Sequence, residues 1–191
     1  PCLGQPDLEV ILTSGSLAEL VGQLRHLELD VVLCNAPPAT SPADGLIVHR
    51  LAQQTISLFA APTLDCFSLS LRDALVSQPV ILPTGASSIR AEFDGLCDRL
   101  GVSPVIVAEV DDMAMLRLMA REGIGLAPLP AIVIRDELEA GMLREVVQLP
   151  AIREAFYALT FQRQFPSRVA DALIASASSW RNEAGHNATD P

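Results

Sequence analysis

Residues 79–110 read PVILPTGASSIRAEFDGLCDRLGVSPVIVAEV. An apolar run at Pro79–Leu82 ends in a turn-forming segment, Pro83–Ser88, which opens a helical stretch at Ile89–Leu100. Gly101 closes that helix, since glycine enters the left-handed backbone of a helix C-terminus without steric cost. A second β-branched run follows at Val105–Val110. Strand, loop, helix and strand in this order form the unit from which a helix-covered parallel sheet is built.

The alternation continues on both sides. Downstream come a helix at Met113–Arg121, a break at Gly123-Ile124-Gly125, and a strand stub at Leu126–Ala127 before Pro128-Leu129-Pro130. A helix over Ile132–Ala140 ends at Gly141, an extended segment runs over Leu143–Leu149, and a strand at Phe156–Gln162 leads to an amphipathic helix at Pro166–Trp180. Upstream lie a short helix at Leu69–Leu75, a long extended segment at Ile47–Ala61, and a loop marked by Pro37, Pro38 and Pro42. Leu8–Leu12 and Leu29–Leu33 read as strands. Between them Leu17, Leu20, Val21, Leu24 and Leu27 recur at helical spacing on one apolar face, with Ser16 placed to cap the helix. The fold class is therefore α/β. The two long extended segments make the middle of the chain an insertion, so residues 1–61 with 148–191 are expected to form one subdomain and residues 62–147 a second.

Composition narrows the function. Half of the 191 residues are apolar, enough for a folded core, and 23 acidic against 13 basic residues give a net charge of -10. Such a surface repels a polyanion, so this segment does not itself hold nucleic acid. All the basic residues are arginines. No apolar run is long enough to span a bilayer and no leader is visible, which points to a cytoplasmic setting. Cys2, Cys34, Cys66 and Cys97 are scattered without a CxxC pair, so reduced packed thiols are expected rather than a metal site. His26, His49 and His186 complete no nucleophilic constellation, so neither catalysis nor a cofactor is expected, and Asn187-Ala188-Thr189 is a chance glycosylation match.

The order of Pro6-Asp7-Leu8-Glu9-Val10, Gly15-Ser16, Leu29-Asp30-Val31-Val32, Leu71–Leu75, Pro79–Pro83, Glu109-Val110-Asp111-Asp112 and Met119–Pro130 resembles the effector domain of LysR-type transcriptional regulators. The resemblance implies two Rossmann-like subdomains hinged by crossover strands, as in type II periplasmic binding proteins, with a small-molecule or ion effector in the cleft between them. It also implies DNA contact only through a winged helix-turn-helix outside this chain, a missing first sensor strand, and a homodimer or homotetramer using the helix at Leu17–Leu27. An exported solute-binding protein of the same fold is the alternative. Leu149–Leu159 is similar to the branch regulating a sodium/proton antiporter. In the peroxide-sensing branch two cysteines form a switch. Cys97 matches the second position and Ser88 the first, so that switch lacks its nucleophile.

Ligands of open α/β sheets sit beyond the carboxyl ends of the strands, where helix N-termini present unpaired N–H groups. This rule and the resemblance select the same loops, giving Ser16, Asn35, Pro83, Thr84, Gly85, Ser87, Val110, Asp111 and Asp112 as effector contacts. Helix capping explains Ser16 and Ser87 equally well, turn formation explains Pro83 and Gly85, and favourable placement against a helix dipole explains Asp111 and Asp112. If the two aspartates face the effector, they favour a cation or neutral molecule over a carboxylate.

Overall fold

The computed structural model describes residues 9–39, 44–85, 87–162 and 167–184. Leu8, Pro42, Pro166, Cys2, His186 and Asn187–Thr189 therefore lie outside the described residues. Contacts divide the chain into two compact units, Pro1–Gln53 with Ala155–Pro191, and Gln54–Glu154. The elements, in order, are α1 (Leu17–Arg25), β1 (Val32–Cys34), β2 (Leu46–Ala60), α2 (Leu71–Ser77), β3 (Val80–Pro83), α3 (Ser88–Leu100), β4 (Ile106–Val110), α4 (Met113–Arg121), β5 (Ala127–Pro130), α5 (Arg135–Glu139) after a 3-10 turn at Ala131–Ile134, β6 (Arg144–Phe161) and α6 (Arg168–Ala184).

In the first unit β1 pairs antiparallel with β6, in the register Val32↔Leu159 to Cys34↔Tyr157. α1 packs Val21 and Leu24 against Val32, Leu46 and Leu159. Its start is a complete capping box, in which Ser16 accepts from the Glu19 amide and the Glu19 carboxylate accepts from the Ser16 amide. Two sequence expectations fail here. Glu9–Leu12 is not a strand: among the described residues it pairs with nothing, and Ile11 and Leu12 are 77% and 86% exposed. A β-branched run is only a candidate strand until a neighbour takes its hydrogen bonds. Leu27 does not continue the buried face of α1, because the helix stops at Arg25 and Leu27, with φ of 63°, is 55% exposed.

The second unit holds the quoted strand–helix–strand. β3 and β4 are parallel, Leu82 opposite Glu109 and Pro83 opposite Val110, and Leu126 forms a further parallel bridge with Val80. α3 lays Ile89, Phe93 and Cys97 onto Val80 and Leu82, while α4 lays Leu116 and Ala120 onto Ile81, Ala127 and Leu129. Every side chain of β3 is thereby buried, which is why it reads as an uninterrupted apolar run. Gly101 takes the left-handed conformation at the end of α3, with φ of 63°.

The sheets are less parallel than the alternation of elements suggests. β2 pairs antiparallel with β5, from Ile56↔Pro130 to Phe59↔Ala127, and the larger sheet has the order β1-β6-β2-β5. Leu143–Leu149 and Phe156–Gln162, which read as two elements, fall on a single 18-residue strand, β6, except for Leu143 and Gln162 just beyond its ends. The proline at 150 interrupts the sequence pattern but not the extended backbone, since proline's fixed φ suits a strand wherever its missing N–H is not required.

Candidate functional site

The loops at the carboxyl ends of β3 and β4 are built from one continuous set of bonds. The Thr84 amide donates to the Val110 carbonyl at 2.9 Å, extending the parallel ladder one step beyond Pro83. The Ser87 amide then returns to the Thr84 carbonyl at 3.0 Å and closes the turn. Pro83 is buried, Thr84 and Ser87 are half-buried and Gly85 is exposed. Pro83, Thr84, Gly85, Ser87 and Val110 thus lie together at the carboxyl ends of β3 and β4 on the second unit, with Gly85 the exposed member.

Ser87 occupies the N-cap of α3 but makes no side-chain capping hydrogen bond. The amides of Arg90 and Ala91 turn back to the Ser87 carbonyl, at 3.2 and 3.4 Å, and among the described residues those of Ser88 and Ile89 remain unengaged at the helix start. The N-caps of α1, α2 and α4 behave differently. Ser16 and Ser70 accept from the amides of Glu19 and Asp73 at 3.3 and 3.2 Å, and Asp112 accepts from that of Met115 at 2.8 Å. Asp112 is therefore spent on capping α4, while Asp111 beside it is exposed.

Gly85 has no conformational reason to be glycine. A Cβ there meets nothing within 4 Å, and its φ is not in the left-handed region. Gly85→Ala is accordingly expected to leave the thermal midpoint within about 2 °C, as a surface change does. Any loss of ligand response in that variant would then report close approach of a ligand, which titration of both proteins would show.

The residue that organises these loops was not among the sequence candidates. The Nε of Arg90 donates to both carboxylate oxygens of Asp94, at 2.9 and 3.0 Å, and its terminal nitrogen donates to Glu109 and, at 3.3 Å, to the Pro83 carbonyl. The Glu109 bond leads the causes that raise the protonation range of Arg90; partial burial opposes it, and Asp94 adds to it. A signal for this was legible. An arginine in the first turn of a helix opposes the helix dipole, so it needs carboxylate partners, and Glu109 is the acidic residue breaking the apolar strand VIVAEV.

On the first unit, Ser16 caps α1 and follows no strand, since Glu9–Leu12 forms none. Asn35 stands directly after β1 and is exposed, with an interaction of its own. A separate cavity of about 260 Å³ on this unit, lined by Asp30, His49, Thr160, Phe161 and Asp171 among others, contains none of the nine candidates. Cys66 and Cys97 are buried and Cys34 half-buried, and burial first of all pushes all three thiols up. Among the described residues no cluster of His, Cys, Asp or Glu could hold a metal ion, and no helix is long and apolar enough to cross a membrane.

Comparison with known proteins gives a consistent result. Residues 3–181 match the LysR substrate binding domain family. The HTH-type transcriptional regulator BbuR of Bordetella bronchiseptica is 30% identical over 141 residues, 72% of this chain and 42% of that protein. The HTH-type transcriptional regulator CbbR of Cereibacter sphaeroides is 25% identical over 150 residues, 78% of this chain and 47% of that protein. The chain thus spans under half the length of these relatives. Among solved structures, the apo regulatory domain of HypT from Salmonella typhimurium aligns with a TM-score of 0.67 at 17% identity, over 94% of this chain and 85% of that one. The effector binding domain of QuiR with shikimate gives 0.60 at 15%, over 88% and 79%, and the regulatory domain of Synechocystis CcmR with 2-PG gives 0.62 at 14%, over 85% and 78%.

Proposed function

We propose that this chain, which belongs to the LysR substrate binding domain family, takes up a small organic acid at the loops following β3 and β4 and reports its presence to a DNA-binding domain in a longer protein. The observation that carries the acid class is the start of α3. Two amides that are unengaged among the described residues, a serine hydroxyl that makes no capping bond and the positive end of a 13-residue helix point to a carboxylate or phosphate oxygen. Thr84, Gly85 and Ser87 are the proposed contacts there, with Pro83 and Val110 supplying the backbone frame.

Asp112 is engaged by the α4 amide but is exposed and charged like Asp111, and the acid class rests on the start of α3, to which neither aspartate belongs. QuiR's complex with shikimate supports an acid in this fold. The finer likeness to regulators of a sodium/proton antiporter rests on Leu149–Leu159, which form part of β6 and supply no oxygen-rich loop, so the acid reading takes precedence. The two relatives, both HTH-type transcriptional regulators, favour a regulator over an exported solute-binding protein, and over an enzyme. In the longer protein we propose a homodimer or homotetramer in the cytoplasm, with DNA held by a winged helix-turn-helix outside this chain.

Thermal unfolding against small organic acids, with shikimate as the first probe, tests the class. An acid at about 100 times its Kd adds roughly 2.7 kcal/mol of stability, seen as a rise of about 5–10 °C in the midpoint for a chain of this size. Amines of matching size should leave the midpoint unchanged. Stabilisation by amines and by no acid would overturn the acid reading.

A further inference from the structure

We infer that Arg90 is the positioning residue of the β3–α3 loop, fixing the peptide group between Pro83 and Thr84 so that the loop presents Thr84, Gly85 and Ser87 in a set geometry. The inference rests on the proposed site at that loop but is tested without a ligand. Both ends of this one peptide group are engaged. Its carbonyl, on Pro83, accepts from the Arg90 guanidinium at 3.3 Å, and its N–H, on Thr84, donates to the Val110 carbonyl at 2.9 Å. The same guanidinium bonds the carboxylate of Glu109, the residue before Val110 and the ladder partner of Leu82. Arg90 therefore joins the last rungs of β3 and β4 from the side, and the parallel pairing stays closed to its very end.

The placement is otherwise unfavourable. A cation in the first turn of α3 faces the positive end of the helix dipole, yet the Arg90 side chain is only 16% exposed and is aimed back over the loop rather than into solvent. Asp94, one turn along α3, holds Nε and leaves the terminal nitrogen directed at Pro83 and Glu109. This division of labour needs separate nitrogens in a planar fork, which lysine lacks. With both acidic partners already engaged, Arg90 acts on a ligand through the loop and not by pairing with it.

Amide hydrogen exchange in the full 191-residue chain tests the assignment. In Arg90→Gln the amides of Thr84 and Ser87 should exchange about tenfold faster, the scale of losing a charge-assisted hydrogen bond. Amides of α4, α1 and β6 should stay at wild-type rates. Arg90→Lys keeps the charge and protects against a failure of the first variant to fold, and it should release the same two amides. In the double variant Arg90→Gln with Glu109→Gln the loop should open no further than in the first, because Glu109 acts through Arg90. Thr84 and Ser87 rates that stay at wild type, that rise only together with exchange across the whole chain, or that are restored by lysine would each overturn the inference. A failure of all acids to stabilise the chain would overturn only the effector reading.

Discussion

Gly125→Ala is expected to lower the thermal midpoint by roughly 6–12 °C, equivalent to a loss of about 3 kcal/mol for a chain of this length. A Cβ on Gly125 would stand 2.6 Å from the Pro79 carbonyl oxygen and 3.0 Å from its carbon, closer than real Cβ atoms approach backbone. Relief requires the segment before β5 to move away from β3. That carbonyl is also the acceptor for the Leu126 amide at 2.8 Å, and the Leu126 carbonyl accepts from Ile81 at 2.8 Å. The substitution therefore adds an overpacking cost of about 1–3 kcal/mol and weakens two backbone bonds worth roughly 1 kcal/mol each. Val80, Ile81 and Leu126 are fully buried, so the displaced strands cannot settle against water. Calorimetric melting of the variant beside Gly85→Ala, whose Cβ meets open space, isolates the contact from the mere presence of a methyl group. A midpoint within 2 °C of wild type would show that the bridge at Leu126 can yield.

The same glycine shows how far the fold could be read in advance. Gly123-Ile124-Gly125 stood out as a break between a helix and a strand stub, and α4 spans Met113–Arg121 as expected. What spacing does not convey is a close approach between backbones distant in sequence, which is the physical content of Gly125. The run Leu8–Leu12 failed for a related reason: strand character is completed by a partner, and the described residues 9–12 have none. β6 was divided because a proline and a change of composition imitate a loop.

The candidate loops were legible because carboxyl ends of strands and starts of helices can be placed from apolar periodicity alone. The division of labour among their side chains was not. Ser16, Ser87 and Asp112 are equivalent as sequence signals, each a small polar residue before an expected helix. In the structure Ser16 and Asp112 cap their helices and Ser87 does not. Arg90 was overlooked because a first-turn arginine reads as an exposed polar residue until Glu109 is found beside it.

Ser87→Asp is expected to abolish acid binding while making the protein more stable. Ser87 has an extended backbone, φ -84° and ψ 137°, close to that of the capping residues Ser16 and Ser70. A carboxylate there can accept from the first-turn amides and sits at the favourable end of the α3 dipole, a gain of about 0.5–1 kcal/mol, or roughly 1–4 °C. It also places a permanent anion where the acid is proposed to bind, removing its donors and adding like-charge repulsion. The affinity should fall at least about 100-fold, which is roughly 2.7 kcal/mol, so the midpoint rise produced by an acid in the wild type should vanish in the variant. Ser87→Ala provides the contrast: the helix amides remain, and affinity should drop only severalfold, the scale of one neutral hydrogen bond. Titration calorimetry of the three proteins with an acid that stabilises the wild type decides the matter. If Ser87→Asp binds that acid as tightly as the wild type does, the anion is not held at the start of α3, and the contacts proposed for Thr84, Gly85 and Ser87 fall with it.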